Sequence, residues 1–188
     1  METIIDTNIE RKTISPWNVA IKWGVIGALL GIVQTLVEHV IKEGKMNQEG
    51  AGIKFFVGLA IAVFAITMCI KEHRDKDNEG FISFGRAFKA GFYASIIAVS
   101  IMTLFTFIYF SFIVDYDLMM AETLGKSIAQ MKKKGMDDPQ IKQGIEMSKK
   151  FTSKGFLVSL TFIFGLIFDT IIALICAAIQ KKTPTQYA

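Results

Sequence analysis

One acidic side chain, Asp169, stands inside an otherwise uncharged apolar run, residues 155–180. It lies fourteen positions from one end and eleven from the other. As a helix the run is roughly 39 Å long, enough to cross a hydrocarbon core of about 30 Å with some tilt. A charge at that depth costs about 2.5–3.5 kcal/mol on insertion scales, so it needs a use. Two chemistries fit. Asp169 is either a proton or cation site inside a helix bundle, or a neutral acid bonded to Gln34, Thr103 or Ser100 across a helix interface. A proton or ion relay wants a second ionisable group at mid-depth, or a helix broken by Pro or Gly. The apolar runs supply neither, Glu38 lying near an end, so the structural role is favoured.

Other reactive side chains are few. His39 beside Glu38 and His73 beside Glu72 are the only histidines. They fall on opposite sides of the membrane in the topology below, and zinc needs about four converging ligands, so no metal is expected. Cys69 and Cys176 come to similar depth, as neighbours would; two cysteines make no disulfide scaffold, and they suit packing faces. Gly52-Ile53-Lys54 and Gly80-Phe81-Ile82-Ser83 lack the spacing of a phosphate cradle, and no nucleophile or dinucleotide motif occurs. Lys132-Lys133-Lys134 fits a solvated helix end better than a lipid-headgroup site. The aromatics sit in apolar runs instead of interleaving with a basic face, which argues against nucleic acid. No catalytic residue, cofactor or enzyme activity is expected.

The elements that position these groups are helices. The 188 residues are 52% hydrophobic, with sixteen Phe and three Pro, and the net charge is +4. Charges collect in polar stretches and leave long gaps, as in membrane spans joined by wet loops. The fold class is therefore all-α: an integral membrane bundle of four transmembrane helices, one domain over 1–188. Spans are expected at about 17–41, 53–70, 88–114 and 156–180. Ser15-Pro16 marks a helix start, and Trp17, Lys22 and Trp23 suit a membrane interface. A charged turn follows the second span. Ser83 is a candidate cap, with Phe81, Phe84 and Phe88 on one side of the helix it starts. An extramembrane helical hairpin is expected over 116–152. Its first helix carries Leu118, Ala121, Leu124, Ile128 and Met131, stops at Gly135, and a second restarts at Asp138-Pro139. The first fifteen residues are polar, so the first span is expected to act as an uncleaved signal anchor. No internal repeat is visible.

Helices in lipid associate through small and hydrogen-bonding residues. Thr161, Gly165, Asp169, Ala173 and Ala177 form one such stripe, and Gly58, Ala62, Ala65 and Cys69 a second. Gly24, Gly27, Gly31, Gln34 and Glu38 mark a third, and Gly91, Ser95 and Ala98 a fourth. The packing contacts are assigned to Gly27, Gly31, Gly58, Ala62, Gly165 and Ala173, and the intramembrane polar site to Asp169, Gln34, Ser100 and Thr103. Cations close to span ends, among them Lys71, Arg74, Lys76, Arg86, Lys89, Lys181 and Lys182, place both termini in the cytoplasm. The opposite side counts Lys42, Lys45, Lys54 and eight in the long loop, so the raw count does not decide and the close flanks do.

The stretch Lys71-Glu72-His73-Arg74-Asp75-Lys76, followed by Gly80-Phe81-Ile82-Ser83-Phe84-Gly85-Arg86-Ala87-Phe88-Lys89-Ala90-Gly91-Phe92, has a family character, as does Tyr109-Phe110-Ser111-Phe112-Ile113. Both resemble the small bacterial four-span membrane proteins of domain of unknown function family 4199. The resemblance covers nearly the whole chain, from Ser15-Pro16 to Lys181-Lys182. It implies the four-span architecture and a bacterial inner membrane, and brings no activity. It also implies that Asp169 is particular to this chain. The expected function is a non-enzymatic binding or scaffold component of a membrane assembly. Its partners are the lipid bilayer, a protein meeting residues 116–152, and a second copy of the chain as a homo-oligomer. The alternative is a small transporter or channel using Asp169.

Overall fold

Local sequence signals set most helix ends in the computed structural model, which describes residues 15–41 and 51–182. The N-terminal cations Arg11 and Lys12, the loop cations Lys42 and Lys45, and the anchor's polar leader lie outside the described residues. Helix α1 (Trp17–Ile41) begins where Pro16 fixes the first turn, the Trp17 amide donating to the Ser15 hydroxyl at 3.4 Å. Helix α2 (Ala51–Asp77) runs past the expected apolar span through what reads as a charged turn. Its extension is held by pairs four residues apart, Lys76 with Glu72 at 3.1 Å and His73 with Asp77 at 2.8 Å. Gly80, at φ 82, then ends the turn.

Helix α3 (Phe84–Ile108) starts one turn earlier than the expected 88. Ser83 stands at the cap position, but its side chain makes no capping bond. Phe84, Phe88 and Phe92 stack along the helix instead, with centroids 6.4 and 5.6 Å apart. A π-helical turn, Tyr109–Ile113, finishes the span. Helices α4 (Tyr116–Lys133) and α5 (Asp138–Phe151) form the hairpin, and α6 (Lys154–Gln180) is the last span. Asp115 caps α4, and Asp137 with Gln140 forms a capping box on α5, one residue before the expected restart.

Among the described residues, four helices are long and apolar enough to cross a membrane: Trp17–Ile41, Gly52–Asp77, Phe84–Ile113 and Lys154–Gln180. Large apolar side chains are exposed along all four, including Val33, Phe64, Leu104 and Phe168. Water would not tolerate so extensive an apolar surface on a monomer, whereas lipid does. The chain is a multi-pass membrane protein.

The spans form a ring, with α1 beside α2, α2 beside α6, α6 beside α3, and α3 beside α1. The α2–α3 diagonal also packs. Burial is concentrated at the end of the bundle where α1 starts and α6 finishes. One cluster there holds Ile66, Ile70, Ile82, Ala87, Ile172, Ala173, Cys176 and Ala177, and another holds Ala20, Cys69, Ala90 and Ala94. A reciprocal pair of 2.9 Å backbone bonds between Ile82 and Lys182 ties the start of α3 to the end of α6. At the far end Val40, Ile41 and Ile53 are exposed, and neither cluster reaches it.

The hairpin packs chiefly on itself, Met131 lying over Gly144 and Ile141 being buried. Its base is clasped. The Tyr116 hydroxyl donates to the Thr152 carbonyl, and the Lys154 ammonium sits 5.0 Å from the Tyr116 ring centroid. Burial also raises the Tyr116 phenol above its ordinary pKa. Removing that hydroxyl with Tyr116→Phe should cost about 1 kcal/mol locally. Limited proteolysis within 116–152 is then expected to speed up several-fold while the melting of the four-span bundle stays put. Equal proteolysis of both forms would show that the clasp does not hold the hairpin.

Candidate functional site

The small-residue stripes do bring the helices together, but only part of the way. A Cβ on Gly24 would fall 2.8 Å from the Ala94 carbonyl oxygen, and one on Gly27 2.9 Å from the Ala65 Cβ. One on Gly91 would meet Ile66, Ile70 and Ala173 at 3.1–3.3 Å. Farther along the bundle the approach relaxes. Gly31 faces the flexible end of Met102 at 3.1 Å, Gly165 faces Val99 at 3.3 Å, and Gly58 has only the Gln34 Oε1 at 3.8 Å. The helices part there around a cavity of about 310 Å³. Its lining comes from all four spans, including Gly27, Gly31, Gly58, Ala62 and Gly165. Ala173 lies below it in the packed core.

Asp169 lines this cavity. Gly165 opposes Val99 and Ala173 opposes Gly91, so Asp169, halfway between, stands level with Ser95 near the closed end. Among the described residues its carboxyl has no hydrogen bond and no ion pair. At the other end of the lining, Gln34 donates to Glu38 and to the Lys54 carbonyl, both at 3.1 Å, and Lys54 pairs with Glu38 at 3.1 Å. Gly24 is level with Ala94, and Glu38 is fourteen residues farther along α1. The two polar ends are therefore roughly 20 Å apart.

The family model described as "Protein of unknown function (DUF4199)" matches residues 22–182. The chain belongs to the DUF4199 family. No curated protein matches it, and no solved structure does. The DUF4199 match takes in most of α1, the other three spans, the hairpin and both partners of the Ile82–Lys182 bridge.

Of the four polar residues assigned to one site, this DUF4199 chain brings Asp169 and Gln34 onto the same cavity, at its two ends. Ser100 is exposed, and the Thr103 hydroxyl is buried without a partner away from the lining. Helical rotation explains this. Ser95 faces the cavity, and positions five and eight residues on are turned by about 140° and about 80° from it. Ser95 itself, noted in the small-residue stripe, is the α3 polar group at the level of Asp169.

His39 and His73 sit at opposite ends. The π-helical turn carries Tyr109 to His39, with the hydroxyl 3.0 Å from Nδ1. Nothing in the residue order around Tyr109 signals a π turn. Cys69 donates to the Ala90 carbonyl and Cys176 lies 3.5 Å from the Thr67 hydroxyl, each in a different cluster of the packed end. Among the described residues no three of His, Cys, Asp and Glu gather as a metal site. A further polar cluster joins α1 to α2. Glu72 accepts from Lys22 at 2.6 Å and from the Trp23 indole at 2.7 Å, locking α1 to α2. Lys22 and Trp23 were legible as interface residues; their acidic partner lay in a stretch that reads as a turn.

Proposed function

We propose that this protein is a non-enzymatic binding protein of the bacterial inner membrane whose four-helix cavity receives a small amphiphile. The observation that carries this is the cavity itself, apolar between its two polar ends, with a carboxyl near its closed end that has no partner among the described residues. Its volume lies at the lower end of the roughly 300–1,000 Å³ of ligand pockets. Cations flanking α2, α3 and α6 favour a cytoplasmic position for the packed end and both termini. The hairpin, clasped at its base and little packed on the bundle, is the part suited to a protein partner or a second copy, which would make the chain a scaffold component as well.

The test is photolabelling with an alkyl diazirine, the protein being held in phosphatidylcholine nanodiscs. Saturable adducts are expected on peptides bearing Ala62 and Ala98. A side chain on Gly58 would enter the cavity without a close contact, so Gly58→Leu should cut the saturable labelling by about tenfold without loss of folding. Labelling that never saturates, or is indifferent to Gly58→Leu, overturns the proposal. A second reading is a small transporter using Asp169, favoured by its sharing one cavity with Glu38. It requires the packed end to open, and proton or ion flux in proteoliposomes that Asp169→Asn abolishes would select it.

A further inference from the structure

We infer that the cavity's ligand is a hydrophobic amine: an apolar body ending in a protonated amino group that meets Asp169. This rests on the cavity being a binding site and adds the chemistry of what enters it.

The assignment follows from which hydrogen-bonding groups of the lining are already engaged. The Ser95 hydroxyl donates to the Gly91 carbonyl at 3.0 Å, and the Thr161 hydroxyl to Leu157 at 3.0 Å. The Thr35 hydroxyl donates to Gly31 at 3.0 Å. A serine or threonine bonded back to its own helix in this way has used its one proton and shows only oxygen lone pairs. The Trp23 indole gives its proton to Glu72 at 2.7 Å. The Gln34 amide donates both protons, to Glu38 and to the Lys54 carbonyl. The Lys54 ammonium faces Glu38 at the far end. Backbone N–H groups of the lining lie within helices and bond there.

What remains directed into the space is a set of acceptors. Near the closed end these are the carboxylate oxygens of Asp169, with the Ser95 oxygen at the same level. The lining also carries one net negative charge, because Glu38 and Lys54 offset each other and Asp169 has no counterpart. A carboxylate or phosphate reaching the Asp169 end would find no donor there and a like charge. An alcohol brings one donor and no charge. An alkylammonium brings three donors and the missing positive charge, and its chain lies along the apolar walls. The phosphate beside the amine of a phosphatidylethanolamine headgroup would have to enter the same donor-free space, so the ligand is a free amine.

The experiment is competition against the saturable diazirine labelling described above, in phosphatidylcholine nanodiscs at pH 7, using decylamine, decanol and decanoate. Chain length is constant, so the fit of the alkyl chain to the walls is matched, and each competitor is compared at its measured concentration in the bilayer, because the three headgroups partition differently. Decylamine is expected to compete at about tenfold lower concentration than decanol, as one charge-assisted contact out of water warrants. Decanoate should be the weakest. In Asp169→Asn the advantage of the amine over the alcohol should vanish. Adding phosphatidylethanolamine to the disc should leave labelling unchanged.

Equal potency of decylamine and decanol in the unaltered protein overturns the inference, and that comparison does not depend on any variant folding. So does an amine advantage that survives Asp169→Asn, or phosphatidylethanolamine competing as well as decylamine. Failure of the cavity proposal is recognisable separately: there the diazirine labelling does not saturate and no competitor acts.

Discussion

Gly24→Ala, the addition of a single methyl group, is expected to lower the stability of the bundle by about 1–3 kcal/mol. The added carbon would sit 2.8 Å from the Ala94 carbonyl oxygen and 2.8 Å from the Ile97 Cβ. Neither neighbour is the free end of a flexible chain. Relief therefore requires α1 and α3 to separate, and this pair is among the most extensive contacts in the protein. Separation there also loosens Ala20, Cys69, Ala90 and Ala94, which pack together at the same level. Intrinsic helix propensity works in the other direction, favouring alanine by up to about 1 kcal/mol. The substitution thus weighs propensity against packing, and a 2.8 Å contact with backbone decides for packing. Gly58→Ala supplies the contrast, since its methyl would meet only Gln34 at 3.8 Å. That variant should be neutral or slightly stabilising. Thermal denaturation in a mild detergent, read by helical circular dichroism, compares the two. A Gly24→Ala protein as stable as Gly58→Ala would mean that α1 and α3 are not held this close.

The sequence stripes that led to this contact show what was legible and what was not. Charge-free runs and a four-residue spacing of Gly, Ala and Thr are properties of a helix taken alone, so the spans and their facing sides could be read directly. How closely two such sides approach depends on both partners at one level of the bundle. Gly24 opposite Ala94 closes the gap, whereas Gly58 opposite Gln34 leaves it open, and no single stripe contains that information. The same limit governs the polar groups. Ser100 and Thr103 qualify for the site by residue type alone, and the rotation of α3 that brings Ser95 inward turns Ser100 outward. Glu72 reads as part of a charged turn because α2 was expected to end with its apolar stretch. The i to i+4 pairs of Glu72 with Lys76 and His73 with Asp77 extend the helix and bring Glu72 to Trp23.

Asp169→Leu is expected to make the protein more stable and to remove the amine's advantage over the alcohol. A carboxyl at mid-span is disfavoured by about 2.5–3.5 kcal/mol on insertion scales, and leucine is favoured there. Such a cost is tolerated where a partner offsets it or where function needs the group. Among the described residues no partner exists: Gln34 is engaged at the far end of the cavity, and Ser95 and Thr161 have donated their protons within their own helices. Leucine would also fill part of an open space, so no neighbour needs to move. A gain of about 1–3 kcal/mol follows, smaller than the insertion figure because polar groups in a partly unfolded membrane chain find other partners. This is the pattern of a site held at the expense of stability. The opposite result is equally informative. If Asp169→Leu and Asp169→Asn both melt at lower temperature than the unaltered protein, the acid is an interhelical hydrogen-bonding group and the cavity is not arranged around it. If leucine stabilises, asparagine changes little, and only the amine's advantage over the alcohol is lost in both, the carboxylate is there for a ligand that the membrane supplies.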